Sequence, residues 1–145
     1  MASGAFSGVG TLFRRWNGSS WANIAEVTSI SGPTMTRETI DVTSLDTTGG
    51  YREFIGGFRD GGTVQLAMNF TAATYGIMKG DFEDDSDLTK NYEILLKDPA
   101  GDYSLEFAGV VTECPIEVTA DDKVTSTVTI KVSGEVTEGS GSGSG

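Results

Sequence analysis

Thr34-Met35-Thr36-Arg37-Glu38-Thr39-Ile40-Asp41-Val42 and Thr63-Val64-Gln65-Leu66-Ala67-Met68-Asn69-Phe70 decide how this chain of 145 residues is read. Both stretches alternate. In the first, Arg37, Thr39 and Asp41 fall on one face, and Glu38, Ile40 and Val42 on the other. In the second, Val64, Leu66, Met68 and Phe70 share a face opposite Thr63, Gln65, Ala67 and Asn69. Side chains of a strand point alternately to its two faces, so a period of two predicts two half-buried strands. The segment between them, Thr43 to Gly62, reads as one long loop. Loops beyond ~12–15 residues are uncommon in compact domains and usually carry a function. This one holds Leu45, Tyr51, Phe54, Ile55 and Phe58 beside Arg52 and Arg59, with glycines at 49, 50, 56, 57, 61 and 62. Apolar side chains on a loop need a surface to bury against. If the domain itself does not supply one, another chain must, and those seven residues are the candidate contacts between subunits.

Outward from this stretch the chain is punctuated as an all-β domain. Residues 1–10 are small and glycine-rich and read as a flexible arm. Thr11–Trp16 reads as a strand, Asn17-Gly18-Ser19-Ser20 as a tight turn, and Trp21 to about Ser31 as a single return strand with a bulge near Ala22–Ile24. After Phe70, Thr71 is a candidate cap for a short helix, with Ala72, Tyr75, Met78 and Phe82 at helical spacing. Asp81 to Asp87 reads as an acidic loop. Strands are expected at Tyr92–Lys97, Tyr103–Val111 and Val124–Val132, with Cys114–Val118 running on past a proline kink. Residues 138–145 read as a Gly/Ser tail, leaving 11–137 as the folded domain. About seven strands with turn signals every 8–12 residues predict a mainly β fold, an antiparallel sandwich or barrel with one short flanking helix.

Composition narrows the chemistry. There is no histidine, which removes the commonest general base and metal ligand, and the one cysteine, Cys114, excludes an internal disulfide. The first ten residues lack the basic start and apolar run of a signal peptide, and no stretch approaches the ~20 apolar residues of a membrane span. A soluble chain made in the cytoplasm is expected. The net charge of −11 is uneven, about −1 over residues 1–60 and −10 over 61–145. No cation cluster is present to grip a phosphate backbone.

The carboxylate clusters fail as sites. Starting from Asp81, an EF-hand loop would need glycine at its sixth position and a glutamate at its twelfth; Ser86 and Tyr92 stand there. Glu38 with Asp41, and Asp121 with Asp122, have neither histidine nor apolar pocket beside them to make acid–base pairs. Gly56-Gly57 and Gly61-Gly62 precede no lysine and helix, so no phosphate loop is present. No cofactor, metal or catalytic residue is expected. Trp16 and Trp21 face each other across a short turn and read as cross-strand packing.

Gly32–Leu45, followed by Tyr51-Arg52-Glu53-Phe54-Ile55-Gly56-Gly57-Phe58-Arg59-Asp60-Gly61-Gly62-Thr63-Val64, resembles the tail tube (major tail) proteins of long, non-contractile-tailed bacteriophages. The resemblance covers most of residues 10–136. Gly56 departs from the proline expected in the Phe-Ile-Pro-Gly turn, and the C-terminal domain of some relatives is missing. The resemblance implies a structural virion protein whose homohexameric rings stack into a tube. That tube surrounds a tape-measure protein during assembly, meets tail-end proteins, and conducts DNA during ejection without binding it specifically. It also implies a lumen poor in cations, for which Thr39, Asp41, Gln65, Asn69, Thr125, Thr127 and Thr129 are the candidate lining residues. A monomeric binding module, a carbohydrate-binding or adhesive sandwich using Trp16, Trp21 and Tyr51, is the rival from another class.

Overall fold

The protein is described by a computed structural model covering residues 8–46 and 48–139. The expected arm of residues 1–10 and the tail beyond Gly139 therefore lie largely outside the described residues. In chain order the strands are β1 (Leu12–Trp16), β2 (Trp21–Asn23), β3 (Val27–Ser31), β4 (Thr36–Asp41), β5 (Phe54–Asp60) and β6 (Thr63–Asn69). The helix α1 (Ala72–Glu83) follows, then β7 (Lys90–Leu96), β8 (Tyr103–Glu113), β9 (Ile116–Glu117) and β10 (Thr125–Gly139). β10 takes in Glu138 and Gly139, so the domain runs past residue 137.

Eight strands form one antiparallel sheet in the order β2-β1-β7-β8-β10-β6-β3, with β9 beside β10. β2 and β3 are neighbours in sequence yet stand at opposite edges. The expected single strand from Trp21 to Ser31 is therefore two strands, separated by a corner where Glu26 takes a left-handed φ of 64°. From Asn23 to Val27 the chain spans at most about 15 Å, so the sheet must curl until its edges approach. Ile24 N donates to Phe13 O beside β2, and Asn69 N donates to Glu26 O beside β3, tying the corner to both edges. The result is a barrel-like sheet with a seam between β2 and β3.

Its interior is the face the alternation marks. Val64, Leu66 and Met68 of β6 are buried, opposite Ile130, Val128 and Ser126 of β10. Ser126 takes a core position and satisfies its hydroxyl by donating to Pro115 O at 2.7 Å. Phe13, Tyr92 and Phe107 pack as a trio with ring centroids 5.6–6.5 Å apart, and Met78 of α1 completes the core.

Thr71 caps α1 as expected, its Oγ1 accepting from Thr74 N. The buried stripe, however, is Thr74, Met78 and Asp81 rather than Ala72, Tyr75, Met78 and Phe82; Phe82 is exposed. Asp81 explains the rotation. Its carboxylate accepts from Arg15 Nε and Nη2 at 2.7 and 2.6 Å and from the Tyr92 hydroxyl at 2.8 Å. A buried charge must be paired, and the arginine that pairs it sets which side of the helix faces the barrel. The bond to Asp81 raises the Arg15 pKa, while burial first and the Asp81 charge second push the Tyr92 phenol far above its usual range. Asp81 thus leaves the expected acidic loop. Asp84 organises the remainder, accepting from Ser86 N, Asp87 N and Lys90 Nζ.

Candidate self-assembly surface

The expected loop from Thr43 to Gly62 contains a strand, β5, of seven residues. β5 pairs with β4 in a separate two-stranded sheet: Arg37 stands opposite Arg59, Thr39 opposite Gly56, Ile40 opposite Ile55 and Asp41 opposite Phe54. The sequence reading missed β5 because a bulge after Arg37 shifts its phase and Gly56-Gly57 interrupts the alternation. Gly56 makes room for a side chain. A Cβ on Gly56 would sit 2.3 Å from Arg37 Nε, since the guanidinium lies flat across that position and donates to Gly57 O.

The root of this hairpin is held firmly. Thr34 N donates to Thr63 O, Thr63 N to Thr34 Oγ1, and Val132 N to Gly62 O. Asp60 accepts from Lys131 Nζ and Gly62 N, both at 2.7 Å, and Lys131 above all lowers its pKa. Gly62, at φ 76°, passes so close that a Cβ would lie 2.1 Å from Thr34 O. Beyond the root no described residue covers the arm. All six residues of β4 are exposed, which overturns the expectation of a half-buried strand, and six of seven in β5 are exposed as well.

All seven candidate contact residues, Leu45, Tyr51, Arg52, Phe54, Ile55, Phe58 and Arg59, lie on this arm. Phe58 is 85% exposed, Tyr51 78%, Phe54 54% and Ile55 53%; Leu45 is fully exposed. Met35, Ile40 and Val42 join them, which the sequence reading missed by assigning the apolar residues of β4 to a half-buried strand. Arg52 pairs with Asp41 at 3.2 Å, and Thr43, the larger cause, also lowers the Asp41 pKa by hydrogen bonding. An isolated two-stranded hairpin is marginal in water, and this one shows apolar side chains on both faces.

A second surface gathers most of the lining candidates. Gln65, Asn69, Thr125, Thr127 and Thr129 share the non-core face of β6 and β10. Ser29 and Ser31 of β3, Glu117 of β9 and Glu113 of β8 extend it by register. Thr39 and Asp41 are not part of it; they sit on the arm. The tryptophans pack on each other edge to face, 5.4 Å between centroids at the β1–β2 turn, while Tyr51 stands on the arm rather than beside them. Among the described residues no helix is long and apolar enough to cross a membrane.

Comparison with known proteins agrees with this layout. The tail chain of an empty gene transfer agent particle, solved with C6 symmetry, superposes with a TM-score of 0.71 at 21% identity, covering 92% of this chain and 98% of its own. A chain from the native gene transfer agent virion gives 0.73 at 21% identity over 93% and 99%. A chain of the anti-feeding prophage baseplate gives 0.71 at 12% identity over 95% and 97%. At these identities the likeness speaks for the fold. Among curated proteins, none matches. The profile of the family described as lambda phage tail tube protein matches residues 5–139, spanning barrel and arm alike, so this chain belongs to the lambda phage tail tube protein family and is a structural protein of the virion tail.

Proposed function

We propose that six copies of this chain close into a ring, that rings stack into the tail tube, and that the β4–β5 arm supplies the contact between subunits. The observation that carries this reading is the arm itself: a hairpin fixed at its root, exposed on both faces, and set with aromatic and arginine side chains. Those residue types dominate interface anchors. The sixfold symmetry of one structural relative supports the ring, and relatives from baseplate and tube-terminating cap assemblies support contacts with tail-end proteins. The polar face of β3, β6 and β10 lines the lumen. It offers hydroxyl, amide and carboxylate groups, and its nearest cation, Lys131, is bonded to Asp60. A tape-measure protein fills that lumen during assembly, and DNA passes through it during ejection. A net charge of −11 gives a phosphate backbone no reason to stay.

Negative-stain electron microscopy of the concentrated protein tests this. Sixfold rings or hollow tubes are expected. A chain that remains monomeric at all concentrations, with arm amides as protected from exchange as those of β6, overturns it.

A further inference from the structure

The hairpin and the last strand bring together cations that lie far apart in the sequence. Arg37 of β4, Arg59 of β5 and Lys131 of β10 line one open groove of about 750 Å³ at the root of the arm. The register sets Arg37 directly opposite Arg59, and like charges across a strand pair repel. Arg37 is held in place: its guanidinium lies flat over Gly56, and Nε donates to Gly57 O at 3.3 Å. Among the described residues, neither its two Nη groups nor the Arg59 guanidinium meets a carboxylate. Lys131 Nζ gives one bond to Asp60 Oδ1, at 2.7 Å, and an ammonium has three to give.

Asp60 and Glu135 are the acids of the lining. Asp60 is committed to Lys131 Nζ and Gly62 N, so Glu135 alone opposes the two arginines. The groove therefore stays cationic in a chain of net charge −11. Met35, Val132 and Val136 make up its apolar wall, beside which water screens charge less than on an open face. The donors set the class of ligand. A planar carboxylate matches one guanidinium fork. A tetrahedral oxyanion has oxygens for both forks and the ammonium at once, and its second charge balances the second arginine. A nucleic-acid backbone carries the same group, but a long polyanion meets the negative field of the whole chain, whereas a small ion meets only the groove.

We propose that this groove is a binding site for a small, doubly charged oxyanion of the phosphate class, held between Arg37 and Arg59 with Lys131 as the third donor. The bound ion sits between the opposed charges, so it ties β4 to β5 and steadies the arm. The site is complete in one subunit and does not depend on the ring.

Arginine Nε–H resonances of the full-length chain, in dilute and unassembled solution near neutral pH, read the site residue by residue. Sodium phosphate should shift Arg37 and Arg59 together and saturably, while sodium chloride at equal ionic strength leaves them in place. Amides of β4 and β5 should exchange more slowly once phosphate is bound. Two variants, each first checked for a parental circular dichroism spectrum, should move the phosphate midpoint read at Arg37 in opposite directions. Arg59→Gln should weaken it at least about fivefold, and Glu135→Gln, which removes the one opposing charge, should tighten it about twofold. No shift beyond that of chloride overturns the proposal, and so does a midpoint that Arg59→Gln leaves unchanged. A short DNA duplex that shifts both arginines at a lower phosphate concentration than the free ion would assign the groove to a nucleic-acid backbone and overturn the small-ion reading.

Discussion

β4 and β6 alternate equally well in sequence, and the structure treats them in opposite ways. Val64, Leu66 and Met68 of β6 vanish into the barrel, whereas Ile40 on β4 stays open to water, as do Val42 just past it and Ile55 across the hairpin. The difference lies in the neighbours. β6 sits between β10 and β3 and has a closed core to face; among the described residues β4 pairs only with β5, and β5 only with β4. Periodicity reports which side chains share a face. It does not report what covers that face; under the proposed ring, the cover comes from another copy.

The largest expected effect belongs to the barrel. Leu66→Ala should cost about 2–5 kcal/mol by transfer and cavity terms, read as a fall in the urea midpoint at unchanged slope. The same kind of truncation on the arm, Phe58→Ala, should change subunit stability by less than about 0.5 kcal/mol while strongly reducing polymer yield. A large loss of stability from Phe58→Ala would place that ring in the monomer's own core and erase the contrast.

Next comes the pin between helix and barrel. Asp81→Asn removes the charge that Arg15 and Tyr92 converge on. Arg15 keeps partial access to solvent, so the expected loss is about 2 kcal/mol rather than the full cost of an orphaned buried ion. Hydrogen exchange should localise the loosening to α1. Loosening confined to the arm would mean that arm and barrel are not independent.

How much of this was legible follows from the same contrast. The faces of β6 and β10 could be read because their alternation is unbroken from Val64 to Met68 and from Val128 to Val132. The Asn17–Ser20 turn could be read because Asn17 Oδ1 accepts from Ser19 N and Ser20 N, a bond local in sequence. β5 was hidden by a bulge and two glycines, and the corner at Ile24–Glu26 by a backbone conformation that the sequence does not announce. The helix face was misjudged because its strongest contact, Asp81 to Arg15, joins residues 66 apart in sequence and is polar rather than apolar. The arm's unusual apolar content could be read from the sequence, but its strand pairing and its shape could not.

The smallest expected effect concerns acid groups, where arm and barrel also differ. On the arm, Asp41 and Asp60 lie in water and are held low, Asp41 chiefly by Thr43 and Asp60 chiefly by Lys131. In the barrel, Glu106 stands across from Glu93, which is wholly buried and bonded to Arg14. Burial first, and the Glu93 charge second, raise the Glu106 pKa. A carboxyl raised in the folded state binds its proton more tightly folded than unfolded. Its contribution to stability is therefore full below the unfolded value of about 4.3 and is lost as pH rises through the folded value. Glu106→Gln removes the titration, so the variant should gain stability relative to the parent at pH 7, and that gain should shrink as pH falls toward 4.5. Asp41→Asn should show the reverse slope or none, because its group titrates below the unfolded value. Urea midpoints of parent and variants at pH 4.5, 5.5 and 7 decide the matter; a Glu106→Gln gain that grows on acidification would mean that Arg14, not Glu93, dominates the field at that position.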